Sequence, residues 1–283
     1  MIGNYFMLKI IHHHSHRILA VFFALLIIVV AGLGILALQT YVRYSQYASS
    51  KPAPVHVATK NHHDSVARQA HQATTAPTPV TPDVRIPPIT NGLAPVITSL
   101  PTSQRVVFLG IDDGAHKSPD ELQMMQQNHI KASLFLSRLF INDNPGFFTD
   151  FVRAGNEIEN HTLNHDTTMV ATMSYEQQKA EICGMADYEQ QLYGRRPVLY
   201  RPPGGAYSTV MQRAAADCGM KAIVTWVAKA NGGSMQYQVG DHLRPGDVVL
   251  MHFRPEFKQD MQAFLDAMKS QQLHTELIEN WLP

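Results

Sequence analysis

Val106-Val107-Phe108-Leu109-Gly110-Ile111-Asp112-Asp113-Gly114 is the stretch on which the fold of this chain turns. An apolar, valine-rich run stops at two adjacent carboxylates and a glycine. A buried strand looks like this when it ends at a site instead of an ordinary turn. Neighbouring carboxylates repel each other, so the pair needs a cation close by. Taken alone, Asp-Asp-Gly also reads as a plain turn. Three later stretches argue for a site: His161-Thr162-Leu163-Asn164-His165, Arg201-Pro202-Pro203-Gly204 and Leu250-Met251-His252.

Outward from this strand the chain alternates. A helix is expected over about 119–128, with Leu122 and Met125 on its apolar side. Ala132–Leu136 reads as a second strand, and Phe147–Ala154 as a short helix stopped by Gly155. Asn156–Asn160 is a third short strand leading into His161. Ser174 and Gln177 have capping-box spacing; the helix they open extends to Tyr193, with Gly194 as its stop. Val198–Tyr200 is a strand that Pro202 and Pro203 prevent from continuing. Ser208–Cys218 reads as a helix. Lys221–Trp226 and Asp247–His252 are strands separated by a loop containing Gly232, Gly233, Gly240 and Gly246. A helix over about 255–272 and a short strand finish the chain. Such alternation over about 190 residues argues an α/β fold with a largely parallel sheet or barrel. Each motif then falls at the C-terminal end of a strand, where such folds build their sites.

The 283 residues carry 23 basic and 23 acidic side chains, so there is no electrostatic footprint for nucleic acid. The two cysteines, Cys183 and Cys218, have no CxxC spacing and form either one disulfide or two buried thiols. Residues 1–17, with Lys9, Arg17 and four histidines, read as a cytoplasmic N-terminal tail. Residues 18–38 are 21 consecutive apolar or glycine positions. At about 1.5 Å per residue they are long enough to span a hydrocarbon core of about 30 Å. They also exceed the apolar region of about 7–15 residues in a cleaved signal peptide. A transmembrane anchor is therefore expected over 18–38. Flanking charges do not orient it. Residues 39–90, rich in Pro, Ala and Thr and without apolar periodicity, read as a disordered extracellular linker that holds a domain off a membrane. The expected catalytic domain is 91–283, and the expected location is the plasma membrane, single-pass, with that domain outside.

His161 and His165, four residues apart, would lie on one side of a helical turn and could share a metal. Asp113 supplies a third ligand, and one oxygen with two nitrogens suits a divalent ion such as zinc, cobalt or nickel. Three protein ligands leave room for water, as in a catalytic site.

With these residues in place, the chain resembles the polysaccharide deacetylases of the NodB-homology type, carbohydrate esterase family 4, over roughly residues 100–280. It is most similar to membrane-anchored members of actinobacterial type. Ile111-Asp112-Asp113-Gly114 resembles the family pattern TFDDG, His161 to His165 the pattern H-S/T-x-x-H, Arg201 to Gly204 the pattern RPPxG, and Leu250 to His252 the ending L-x-H. The resemblance implies a distorted (β/α) barrel, preceded here by the transmembrane helix and linker. It implies metal ligation by Asp113, His161 and His165, with zinc foremost. It makes Asp112 the general base, Arg201 its tether, and His252 the acid that protonates the departing amine. A backbone N–H near Tyr207 would help hold the oxyanion, with Pro202 and Trp226 lining the substrate. The expected activity is removal of N-acetyl groups from cell-envelope glycan, peptidoglycan or chitin-like polymers of N-acetylglucosamine. An O-acetyl esterase and a catalytically silent wall-binding homologue are the alternatives.

Three departures from the family are visible. Many relatives carry an Asp after the strand containing Trp226; this chain has Val227-Ala228-Lys229 there, leaving Asp241, Asp247 or Glu256 as possible partners for His252. Gly110 stands where the family has threonine, a mild change on this reading. Gly204 replaces the tyrosine that often follows the proline pair.

Overall fold

The computed structural model describes residues 80–283. Its strands are β1 (Val96–Ile97), β2 (Val106–Asp113), β3 (Ala132–Leu136), β4 (Glu157–Asn160), β5 (Leu199–Tyr200), β6 (Ala222–Val224), β7 (Ala228–Asn231), β8 (Ser234–Tyr237), β9 (Val248–His252) and β10 (His274–Thr275). Its α-helices are α1 (Pro119–Gln127), α2 (Arg138–Ile141), α3 (Thr149–Arg153), α4 (Met169–Thr172), α5 (Tyr175–Tyr193), α6 (Thr209–Asp217) and α7 (Phe257–Ser270). The strands form one sheet in the order β1-β6-β5-β4-β3-β2-β9-β7-β8, with β10 also on β2; every pairing is parallel except the β7–β8 hairpin. The sheet curls into an incomplete barrel.

β2 lies at the centre, and all eight of its residues are buried. Its two faces alternate with period two and both are packed, which explains why the run from Val106 to Ile111 has no polar side chain. Val106 and Phe108 face an inner core with Phe135, Leu199, Val224, Val248 and Trp281. Val107, Leu109 and Ile111 face an outer core under the helices with Leu134, Met251, Phe253 and Phe264. Each such side chain removed from water contributes on the order of 2 kcal/mol.

Local signals set the helix ends. Ser174 and Gln177 form the expected capping box, and Gly194 ends α5 in the left-handed region at φ 78°. Ser118 and Glu121 cap α1 in the same reciprocal way. Three elements differ from the sequence reading. The β7–β8 hairpin occupies part of the expected loop; Gly232 and Gly233, at φ 62° and 73°, make the tight turn after Asn231. The one-turn helices α2 and α4 are too short to show periodicity. Cys183 and Cys218 are joined, tying α5 to the end of α6.

The expectation of a membrane-anchored, single-pass plasma-membrane protein is corrected. Among the described residues no helix is long and apolar enough to cross a membrane. The longest, α5 at 19 residues, carries Glu176, Lys179, Glu181, Asp187 and Glu189, a charge density that a hydrocarbon core does not tolerate. The transmembrane helix, the membrane as a partner and the extracellular placement that followed from it are withdrawn. Segment 18–38, the tail 1–17 and the linker as far as residue 79 lie outside the described residues.

The described part of the expected linker packs on the fold. Ile86 is buried in the inner core and donates its N–H to Trp281 O at 2.8 Å. Arg85 reaches Asn280 O at 2.8 Å, and Asp83 accepts from the Ser103 N–H at 2.9 Å.

Candidate metal centre

The site forms at the C-terminal rim of the sheet. Asp112 and Asp113 end β2, and parallel pairing sets Asp112 beside His252 at the end of β9. Alternation along a strand would send the two carboxylates to opposite faces. Asp113 escapes this by taking φ 77°, a left-handed conformation that Asp tolerates better than most residues.

His161 and His165 do not share a helical turn. The segment between β4 and α4 is a loop, with Thr162 at φ 70° and His165 at φ 50°. Asn160 Oδ1 accepts from the Thr162 N–H, and Thr162 Oγ1 accepts from the His165 N–H, both at 3.0 Å. These bonds stabilise a folded loop in place of the helical ladder.

Ligand atoms of Asp113, His161 and His165 lie within 4.8 Å of one another. Asp113 Oδ1 is 3.1 Å from His165 Nε2 and 3.7 Å from His161 Nε2. Two atoms each about 2.1 Å from one tetrahedral ion would be roughly 3.4 Å apart, so the spacing fits a shared cation. Asp113 Oδ1 is buried without a hydrogen-bond partner, an oxygen left for such an ion. His161 Nδ1 lies 2.6 Å from Arg201 O. A carbonyl only accepts, so Nδ1 carries the proton and Nε2 presents its lone pair to the centre. Burial, the leading cause, holds His161 neutral with its pKa lowered to about 3. Burial alone would raise Asp113, but the imidazoles of His165, His161 and His252 around it bring it to about 2. The deprotonated Asp113 oxygen and the neutral His161 nitrogen therefore fit a divalent metal.

Asp112 is not among the three. Its Oδ1 accepts from Arg201 Nη1 at 2.6 Å, and its Oδ2 is 3.7 Å from His161 Nε2. Proximity to Arg201 favours ionisation, yet burial outweighs it and pushes the carboxyl up to about 7. Arg201 is fully buried, stacks on Phe135 at 4.1 Å, and donates through Nε to Val224 O at 3.0 Å.

His252 is held near pKa 4, by burial first, with Asp113 opposing and Arg254 reinforcing the fall. Among the described residues no carboxylate is hydrogen-bonded to His252. Asp241 pairs with His242, Asp247 with Arg244, and Glu256 is the N-cap of α7. Pro202 is buried; Tyr207 is exposed and lies outside the hydrogen-bonded cluster. Trp226 is partly buried against the inner core, and its ring lies where a side chain on Gly205 would begin.

Two neighbours escaped sequence reasoning. Arg254 Nη2 is 3.5 Å from Asp113 Oδ2. The Phe140 ring packs edge-on to His165 at 5.0 Å, while Lys117 donates to Phe140 O at 2.8 Å and pairs with Asp143 at 2.7 Å. Arg254 follows its strand-tip histidine by two positions, a signal available in advance; Phe140 sits on α2 and had none.

Comparison with known proteins follows this geometry. A family model described as polysaccharide deacetylase matches residues 99–223. An uncharacterised protein of Streptomyces coelicolor is 34% identical over 196 residues, covering 67% of this chain and 78% of that protein. A peptidoglycan-N-acetylglucosamine deacetylase of Bacillus cereus is 27% identical over 167 residues, covering 56% of this chain and 76% of its own. A crystal structure of a peptidoglycan N-acetylglucosamine deacetylase superposes with a TM-score of 0.57 at 20% identity, covering 67% of this chain and 93% of that one. This chain belongs to the polysaccharide deacetylase family, and its Asp113–His161–His165 centre is that of a metal-dependent deacetylase.

Proposed function

We propose that this protein removes N-acetyl groups from a polymer of N-acetylglucosamine, with peptidoglycan as the first candidate. The observation that carries the reading is the pairing of a three-residue metal centre with a buried Asp112 that is not a ligand and is tied to Arg201. A relative that acts on peptidoglycan supports the choice of polymer.

Asp113, His161 and His165 would hold the ion, zinc foremost. When bound, a divalent ion supplies Lewis acidity and lowers the pKa of water towards about 7. Asp112, with its carboxyl near pKa 7, is suited to accept a proton at neutral pH as the general base. Arg201 holds Asp112 Oδ1, leaving Oδ2 to face the reacting centre. His252, beside Asp112 across the β2–β9 pair, is neutral at pH 7 with its pKa near 4, so it would first take up the proton that it then delivers to the leaving nitrogen. An amine departs poorly unless protonated, so this group matters more for an amide than for an ester. Pro202, Trp226 and Tyr207 would border the sugar.

Among the described residues no carboxylate is hydrogen-bonded to His252, which favours one second reading, an O-acetyl esterase, because an alcohol leaves more easily than an amine. Acetate release separates the readings. The protein is incubated with peptidoglycan, N-acetylglucosamine oligomers and acetylated xylan, after chelation and after restoring zinc. Zinc-dependent acetate with new free amines is the expected result. Acetate from the ester alone moves the assignment to the esterase, and zinc binding without acetate from any substrate to a silent homologue.

A further inference from the structure

We propose that Gly110 is a positioning residue for this reaction, its missing side chain being the seat of the Arg201 guanidinium. Gly110 lies mid-strand, two residues before Asp112 and on the same face of β2. It is not among the residues at positive φ, so the backbone does not require glycine there. Space does. A Cβ on Gly110 would fall 2.7 Å from Arg201 Cζ and closer still to both terminal nitrogens. Glycine inside a strand otherwise weakens it, and one of its uses is to admit another group closely.

The guanidinium is held from several sides. One face lies on Phe135 at 4.1 Å, with Trp226 at 5.9 Å. Nε is bonded to Val224 O at 3.0 Å, Nη1 to Asp112 Oδ1 at 2.6 Å, and Nη2 already lacks a partner. A methyl group at 110 would meet the far end of a flexible side chain, not backbone. It is therefore the guanidinium, and with it the Arg201–Asp112 pair, that must shift, while the backbone can stay. The threonine of the family pattern is excluded for the same reason, so restoring it should harm this protein. The inference rests on the reading of Asp112 as the base.

A double-mutant cycle on the full chain tests it, with Gly110→Ala, Arg201→Ala and the double variant. Rates are read as acetate release from N-acetylglucosamine oligomers with zinc, alongside zinc titration and thermal unfolding. Gly110→Ala should lower kcat by roughly 100-fold with KM and zinc affinity little changed, because a small displacement of a reacting group has that size of effect. In the Arg201→Ala background the same methyl enters vacated space and should change neither kcat nor Tm. Gly110→Thr should be at least as damaging as Gly110→Ala. Wild-type kcat in Gly110→Ala, or equal losses in both backgrounds, would overturn the proposal. Should Gly110→Ala fold poorly, recovery of Tm in the double variant still supports it, and no recovery counts against it. Full activity of Asp112→Asn would refute the assignment of the base, while the Tm cycle would still judge the seat of Arg201.

Discussion

At the residue scale, each member of the centre is prepared by a neighbour. Arg201 serves twice, its carbonyl fixing the His161 tautomer and its guanidinium holding Asp112. His252 is the least supported: it is partly buried, and among the described residues no carboxylate is hydrogen-bonded to it. His252→Ala should lower hydrolysis of the N-acetyl substrate by roughly 10²–10⁴-fold, the usual share of a general acid. Loss on a reactive acetyl ester should be far smaller. Comparing kcat on the two substrates checks this; equal losses would argue that His252 positions substrate or ion instead. The adjacent carboxylates and the two histidines were legible in the sequence as metal-binding types. Their mode of convergence was not. Four-residue spacing suggested a helical turn, whereas the Asn160 and Thr162 side chains build a left-handed loop.

At the element scale, α2 and its loop act as a buttress. Lys117 fastens the Phe140 carbonyl and Asp143, and Phe140 supports the His165 ring. Lys117→Met should weaken zinc binding with Tm little affected, as outer groups around a metal commonly alter affinity about 10–100-fold. Zinc titration decides it, and an unchanged affinity would show that the loop holds without Lys117. The Cys183–Cys218 bridge closes a sequence separation of 35 between α5 and the end of α6. Cys183→Ser should cost about 2–4 kcal/mol of stability by freeing the unfolded chain. Calorimetry would show a lower Tm, with kcat below that temperature unchanged. The capping box and glycine stop announced α5, and the apolar positions Leu122 and Met125 announced α1, because those signals are local. The β7–β8 hairpin was missed because its glycines were read as loop and its strands have only four residues each.

At the scale of the whole molecule, the interior holds more charge than catalysis uses. Glu159 is buried but accepts from the Val198 and Leu199 N–H groups at 2.8 and 2.6 Å and from Arg195 at 2.7 Å. Glu189 is equally buried, and both its oxygens lack partners. Burial pushes its carboxyl well above the usual value of 4.5, with repulsion from Glu159 adding to the shift. The folded protein thus retains a proton that the unfolded chain releases above pH 4.5. Stability must fall as pH rises from there until the folded group itself ionises. Glu189→Gln removes that loss, so its Tm advantage should grow as pH rises above 4.5. A difference independent of pH would refute the assignment. The fold also extends past the expected domain start. A chain beginning at residue 91 should be about 3 kcal/mol less stable than one beginning at residue 80, from Ile86 burial and one backbone bond. Denaturant unfolding of the two tests this; equal midpoints would confine the folded unit to 91 onward.

The sequence by itself determined the alternation of strands and helices, the buried run of β2 and the carboxylates and histidines at strand ends. Those features depend on periodicity, capping and motif chemistry within a few residues. Only the tertiary structure decided that Gly110 must be empty for Arg201, that Cys183 meets Cys218, and that Glu189 has no partner. These outcomes depend on packing between segments far apart in the chain. Arg201 reaches Asp112 across a sequence separation of 89, and no local pattern encodes the space left between them.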